Sequence, residues 1–323
     1  MKMNRYTLDN NPNYQIKKPK LLYIDRFGNI YPDCKTYKTP KICHITDSDV
    51  LNRIKNAVFD YSEAHCFNMV TIEVSSLCQA NCIYCFQSNE KRNDSYRYYD
   101  YLLPILKAFQ INWLFFSGGE ILVQKEAMDF MRICRSELPN TWIHLKTNGN
   151  VDLSLCDFVD DVCNSVMVSF NGFSPVSYKT IMSLDIKKTI SFCEEIKRRG
   201  KTNLGLKLLI SPINIAETPE FLEWAFSCVP QCIALQVAYN YKIEENGTSS
   251  RLESTLSPKG FSYYWDDVYE RIENSCKRVL KTHESKIINL KTHLTVDKEL
   301  IEIIKLNENY IEFIRTDGVY IIE

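Results

Sequence analysis

The sequence predicts an α/β fold: six parallel βα units bent into an open, partial TIM-like barrel, with small α+β extensions at either end. Two observations point there. From Met69 onward, short β-branched runs alternate with longer stretches of helical period, the pattern of parallel strands joined by crossover helices. The chain is also long enough, at 323 residues of which 45% are hydrophobic, to bury one large core and still carry appendages.

The strands are read at residues 70–74, 113–116, 142–146, 165–170, 204–210 and 233–238, and the helical patterns at 96–109, 123–137, 153–162, 186–199 and 219–228. Pro104 has to kink the first helix or mark its true start, because it has no N–H to donate and crowds the preceding turn. Gly200 follows a basic last turn of Lys197, Arg198 and Arg199, where a helix end favours a left-handed residue and positive charge. Upstream, residues 21–31 form a hairpin pattern with Gly28 and Asn29 at the turn. Downstream, a polar linker at 244–250 leads to a helix near 261–280 and a hairpin-like tail around 310–322. The expected organisation is an N-terminal hairpin extension (1–66), a barrel (67–242) and a C-terminal helix and hairpin extension (243–323).

Charge excludes some functions. Lys plus Arg (39) nearly cancels Asp plus Glu (40), so no global field draws the chain to nucleic acid or to an acidic membrane surface. The N-terminal stretch is polar and no segment approaches 18 uninterrupted apolar residues, so a cytoplasmic protein is expected. Thirteen cysteines, an odd number, sit mostly as single residues in apolar patterns, which argues against a disulfide framework. Cys134, Cys156, Cys163, Cys193, Cys228, Cys232 and Cys276 read as packing residues. The basic run Lys17, Lys18 and Lys20 reads as solvated surface, and Tyr96, Tyr98, Tyr99 and Tyr101 as helix packing.

Three other cysteines stand apart. The first strand runs directly into Cys78, Cys82 and Cys85, spaced C-x3-C-x2-C, so one loop can bring three thiolates together. Clustered thiolates select soft metals, and a closed zinc site needs a fourth ligand that this stretch does not supply. On a four-iron cluster, three thiolates leave one iron open to a cofactor or substrate. This triplet, with Tyr84 just before the third cysteine, resembles the signature of the radical S-adenosylmethionine (SAM) enzymes. In that family SAM chelates the fourth iron of a [4Fe-4S] cluster through its amino and carboxylate groups.

The resemblance extends to the strand ends, where parallel βα proteins bind ligands. Gly118, Gly119 and Glu120 match the family's GGE element, which the resemblance assigns to the methionine amino group of SAM. Ile121 stands where relatives usually carry Pro. Thr147, Asn148 and Gly149 match a TNG element. Ser169, Phe170, Asn171 and Gly172 are similar to Ser-x-Asp-Gly, making Ser169 a candidate for SAM's ribose or carboxylate and Asn171 a departure that removes a charge. Lys207 lies on the fifth strand, and Asn214 and Gln236 near the ends of the fifth and sixth either face SAM or substrate or serve locally as caps and filling. The similarity covers residues 70–241.

What the resemblance implies is reductive cleavage of SAM to methionine and a 5′-deoxyadenosyl radical, which abstracts hydrogen from a peptide or small metabolite in oxidoreductase or transferase-type chemistry. An electron donor such as flavodoxin or ferredoxin is the implied partner. Residues 22–54, with Cys34 and Cys43, resemble the SPASM extension that binds auxiliary clusters in peptide-modifying members. There the segment follows the barrel, whereas here it precedes it and lacks a full ligand set, so a structural hairpin and a single cluster are expected. Two other readings stay open: an activase of a glycyl-radical enzyme, and a non-catalytic iron-sulfur or zinc protein, which would need no SAM pocket.

Overall fold

A computed structural model of the chain describes residues 20–32, 40–60, 65–85, 87, 98–228, 230–243, 249–254, 266–283, 293–297 and 312–314. The elements run β1 (Leu21–Ile24), β2 (Asn29–Tyr31), β3 (Cys43–His44), α1 (Val50–Val58), β4 (Cys66–Glu73), α2 (Tyr99–Lys107), β5 (Gln110–Ser117), α3 (Lys125–Glu137), β6 (Trp142–Thr147), α4 (Leu155–Val162), β7 (Ser165–Phe170), α5 (Pro175–Met182), α6 (Ile186–Arg199), β8 (Asn203–Ile210), α7 (Thr218–Cys228) and β9 (Cys232–Val237). They continue as β10 (Tyr239–Ile243), β11 (Ser249–Ser254), α8 (Asp266–Thr282), β12 (His293–Asp297) and β13 (Glu312–Ile314). The six strands read from the sequence are β4 to β9, and they lie side by side in chain order.

That six-stranded core is the centre of a larger sheet, ordered β13-β12-β9-β8-β7-β6-β5-β4-β1-β2-β3. The strands from β13 to β1 all pair in parallel, and the order has two ends, so the sheet is an open arc. The N-terminal hairpin is present, with Tyr23 opposite Tyr31. Its first strand also lies parallel to β4, Leu22 opposite Val70, so the segment widens the core sheet. Cys43 is buried against that core, and Cys34 lies outside the described residues. β13 pairs in parallel with β12, so residues 312–314 belong to the main sheet; the rest of the tail lies outside the described residues.

Because side chains alternate across a strand, the sheet presents two different faces. Val70, Ile72, Leu114, Phe116, Ile143, Leu145, Val166, Val168, Leu206 and Leu208 point outward into one continuous core with the helices. The inner face carries Met69, Trp113 and Trp142 in one row, Thr71, Phe115, His144 and Ser165 in the next, then Lys146, Met167 and Gly205, then Ser169, Lys207 and Ala234. Aromatic and basic groups thus line the concave side.

Helix ends follow their local chemistry. The side chain of Asp185 accepts from the Lys187 N–H at the start of α6, and Gly200 closes it with φ of 65°. α5 is absent from the sequence reading, although Ser174 caps it through the Ser177 N–H and Pro175 occupies its first position. Pro104 sits inside α2, five residues after its start, so it does not begin the helix and one intrahelical bond goes unmade. Lys20 is not a solvated charge: it donates to the Val58 carbonyl at 2.8 Å and lies 5.8 Å from the Phe59 ring centroid, while Lys17 and Lys18 fall outside the described residues. Tyr99 packs on Phe130 and Tyr98 on His44, as the packing reading expects; Tyr101 is exposed, and Tyr96 falls outside the described residues. No described helix is long and apolar enough to cross a membrane.

The seam between hairpin and core is polar. Glu73, fully buried at the end of β4, accepts from Tyr23 Oη at 2.6 Å, from Arg26 Nη1 at 2.8 Å, and from Gln87 Nε2. The hairpin, the barrel and the residue two past Cys85 therefore share one carboxylate. Removing one partner of a buried ion pair strands the other charge. Arg26→Met is expected to lose about 3 kcal/mol of stability in denaturant titration, and a loss below about 0.5 kcal/mol, the size of a surface change, would contradict that role.

Candidate active site

The loop after β4 enters the mouth of the barrel and is held from three sides. On the first, the Val74 N–H donates to the Ser117 carbonyl at 3.0 Å, the Gly119 N–H to Ser75 O at 2.6 Å and the Glu120 N–H to Leu77 O at 2.8 Å. On the second, the Asn81 and Ile83 N–H groups donate to the carbonyls of Met182 and Ile181 at the end of α5, at 2.9 and 3.0 Å. On the third, Gln87 is anchored on Glu73. Cys78, Cys82 and Cys85 all lie on this loop.

Both glycines of the Gly118-Gly119 pair are demanded by that packing. Gly118 has φ of 131°, and a Cβ there would lie 2.6 Å from Ser75 O; a Cβ on Gly119 would lie 2.1 Å from Leu77 O. Two backbones meet with no room for a side chain between them. The sequence motif suggested close approach to a ligand, and the close approach observed is to the cysteine loop. Gln124, which the sequence reading did not single out, completes the joint. Its Nε2 donates to Leu77 O at 3.1 Å and Glu120 O at 2.9 Å, while its Oε1 accepts from Ser75 Oγ at 2.6 Å.

Glu120 turns its carboxylate into the protein, 1% exposed. It accepts from Thr147 Oγ1 at 2.7 Å, the Asn148 N–H at 2.7 Å and the Leu122 N–H at 3.2 Å, tying the end of β5 to the end of β6. Burial pushes its pKa above the ordinary carboxylate value, and these three donors pull it partly back. Ile121, where relatives of the motif carry Pro, is fully buried as an apolar anchor.

The cysteines separate into two populations. The seven read as packing residues are all buried, and burial pushes the thiols of Cys134, Cys163 and Cys276 up to about 12. Cys78, Cys82 and Cys85 are partly exposed, and none of the described cysteines forms a disulfide. Backbone donors point at two of their sulfurs: Ala80 N–H to Cys78 Sγ and Gln87 N–H to Cys85 Sγ, each at 3.4 Å. Asn148 Nδ2 approaches Cys78 Sγ at 3.9 Å, so this sequence candidate sits beside a cysteine sulfur. Hydrogen bonds of this kind tune an iron-sulfur cluster. No three His, Cys, Asp or Glu side chains among the described residues are grouped to hold a single metal ion. A four-iron cluster presents separate irons to separate thiolates, so its ligands stand further apart than those of a zinc ion.

The remaining candidates divide. Tyr84 is half-buried and packs on the core. Ser169 is half-buried on the inner face, opposite Lys207, and Gln236 is half-buried there opposite Leu209. Asn214 does not face a ligand: fully buried, it accepts from the Ser211 N–H at 2.7 Å and donates to the carbonyls of Asn171 and Leu209, so the local alternative holds for it. Deeper in the barrel, Trp113 lies 5.0 Å from Trp142 and Phe115 4.4 Å from His144, centroid to centroid. Trp142 Nε1 and His144 Nδ1 both meet Ser165 Oγ, at 2.8 and 2.7 Å. Burial, reinforced by the charge of Lys146, pulls His144 down to about 3, so it is neutral at physiological pH.

If the joint between the loops needs the bare backbone, Gly119→Ala must push them apart. Overpacking of this kind costs about 1–3 kcal/mol, and the variant is expected to fold yet take up less iron on anaerobic reconstitution; iron uptake equal to the parent would contradict the role given to Gly119.

Residues 72–225 match the family model of the radical SAM superfamily. Among solved structures, the fold is similar to that of Streptococcus suis SuiB. The form bound to S-adenosylmethionine has a TM-score of 0.50 at 12% identity, with 87% of this chain and 72% of that chain covered. The form bound to the precursor peptide SuiA has a TM-score of 0.51 at 11% identity, with 85% and 71% covered. No curated protein sequence matches the chain. The family match spans the cysteine loop held across the mouth of the open parallel barrel, so residues 72–225 carry a domain of the radical SAM superfamily, a superfamily whose cofactors are S-adenosylmethionine and a [4Fe-4S] cluster.

Proposed function

We propose that the chain is a radical SAM enzyme acting on a polypeptide, with Cys78, Cys82 and Cys85 as the cluster ligands. The observation that carries the assignment is the loop itself: its three cysteines are the partly exposed ones of the barrel mouth, and N–H groups are directed at two of the sulfurs. When bound, the reduced cluster and SAM supply a 5′-deoxyadenosyl radical able to abstract hydrogen from a substrate. A one-electron donor such as flavodoxin or ferredoxin would deliver the electron.

The chain's own residues then have distinct tasks. Gly118, Gly119 and Gln124 keep the cysteine loop against the end of β5. Glu120 holds the Asn148 turn, whose amide lies beside Cys78, and Ser169 faces the interior from β7 on the side where SAM is expected. Trp113, Phe115, Trp142 and Met167 close the inner face with apolar surface, keeping water from a reactive radical.

A polypeptide substrate is favoured over a small metabolite by the rim of the barrel. Leu77, Ile83, Val123, Leu153, Val176 and Ile213 are exposed, and each lies in a segment just past the carboxyl end of a core strand. Apolar side chains gathered around one opening mark a surface that another chain covers. The Streptococcus suis protein of similar fold is seen with a precursor peptide, which is the same class of ligand.

Cys82→Ala is expected to abolish both the iron-sulfur absorbance and the formation of 5′-deoxyadenosine from SAM under reducing, oxygen-free conditions. Undiminished 5′-deoxyadenosine from that variant would refute the ligand assignment.

A further inference from the structure

Helix α5 runs from the ends of two core strands to the cysteine loop. Its eight residues, Pro175–Met182, span about 12 Å at the usual helical rise. Glu217, in the short 3-10 helix after β8, grips its start. The carboxylate accepts the N–H groups of Phe173 and Ser174 at 2.7 and 3.1 Å, and the hydroxyls of Ser174 and Ser177 at 2.6 Å each. Negative charge there also suits the positive end of the helix. Ser174 already caps α5 locally by accepting from the Ser177 N–H. What Glu217 adds, from 40 positions beyond Ser177, is to fix where the helix starts and which way it points. The turn before it is pinned as well: Asn214 Nδ2 donates to the Asn171 carbonyl at 2.9 Å, and a Cβ on Gly172 would lie 2.5 Å from Ser177 Oγ.

At the far end, the last carbonyls of a helix have no partner within it. Those of Ile181 and Met182 take the N–H groups of Ile83 and Asn81, at 3.0 and 2.9 Å, and Cys82 sits between these two residues. Ser183 then leaves the helix with φ of 59°, its N–H on the Lys179 carbonyl. Midway along, Tyr178 is fully buried and its hydroxyl meets Thr189 Oγ1 at 2.7 Å. The one hydroxyl proton of Thr189 goes to the Asn148 carbonyl at 3.0 Å, so Tyr178 is the donor. α5 therefore touches the supports of two cysteines, since Asn148 Nδ2 lies beside Cys78 Sγ.

We propose that Glu217 is a positioning residue for the cluster: it sets α5, and α5 sets the placement of Cys82 at the barrel mouth. A carboxylate with four donors cannot shift without losing several bonds at once, so the helix behaves as a rigid strut. Groups behind a metal ligand orient it and tune the metal through it. The inference rests on Cys82 being a cluster ligand, as proposed above, and extends the cluster's supports to the end of β8.

The test uses the full protein, reconstituted without oxygen. Iron release to a ferrous chelator is timed, the electron paramagnetic resonance spectrum of the reduced cluster is recorded, and the unfolding midpoint is measured. The variants are Glu217→Ala, Glu217→Gln, Ser177→Ala and Thr202→Val. Thr202 is the control: its buried hydroxyl donates to Asp160 Oδ1 at 2.9 Å just before β8, at the end of the barrel away from the cysteines. Glu217→Ala is expected to release iron about tenfold faster than the parent, the usual effect of removing a group behind a metal ligand, with an altered line shape. Glu217→Gln keeps an accepting oxygen and should recover most of the difference. Ser177→Ala removes one of the four donors and should shift both readouts less, in the same direction. Thr202→Val should lower the unfolding midpoint and leave both readouts at the parent's values.

Parental iron release and line shape in a folded Glu217→Ala overturn the proposal. So does equal acceleration in Thr202→Val, which would reduce the effect to general stability. If Glu217→Ala does not fold, Glu217→Gln and Ser177→Ala carry the comparison, and parental behaviour in both overturns it. Failure of the underlying ligand assignment looks different: the parent forms no cluster, or Cys82→Ala retains it.

Discussion

The architecture of this site depends on two stretches of backbone touching. Ser75 to Leu77 and Gly118 to Glu120 approach so closely that a single methyl group on Gly119 would sit 2.1 Å from Leu77 O, far inside van der Waals contact distance. From that contact follow the two short backbone hydrogen bonds, the Gln124 brace, and the direction in which the cysteine loop leaves β4. Glycine is required because of the neighbouring chain as well as the local turn. The same joint passes through Glu120 to Thr147 and Asn148, so the ends of three adjacent strands are locked together where the cysteines emerge.

A second constraint is the division of labour between the faces of the sheet. Parallel strands covered by helices must bury their outer face, and the continuous apolar core on that side does so. That leaves the concave face available for chemistry. Its aromatic floor, its neutral histidine and its two lysines contribute little to the main core and line the concave side of the sheet. The N-terminal hairpin takes part in this interior, since Tyr23 and Arg26 reach Glu73 and, through it, the end of the cysteine loop.

Much of this was legible in the sequence because it is local. The six core strands follow from runs of β-branched residues, the end of α6 from its basic turn and Gly200, and the two classes of cysteine from their spacing and surroundings. α5 was missed although Ser174 and Pro175 announce it, because eight residues between two loops give too short a period to stand out. The jobs of Gly119, Gln124 and Asn214 were out of reach for a different reason. Each is set by a partner on another segment, and residue type alone does not say whether a polar side chain meets a ligand or a neighbouring carbonyl. The Arg26 and Glu73 pair is the clearest case: 47 positions separate them, and nothing near either one in the chain points to the other. Residues 22–54 showed the opposite failing, since the hairpin was correctly read while its likeness to an auxiliary-cluster segment gains no support from a Cys43 that is buried in the core.

The central claim is that three thiolates leave one iron of the cluster open for the methionine end of SAM. Electron-nuclear double resonance on the reduced protein, mixed with SAM carrying nitrogen-15 at the methionine amino group, tests it directly. An iron left vacant by Cys78, Cys82 and Cys85 should give a hyperfine coupling between the cluster spin and that nitrogen. A reduced four-iron cluster that shows no such coupling with SAM bound would contradict it.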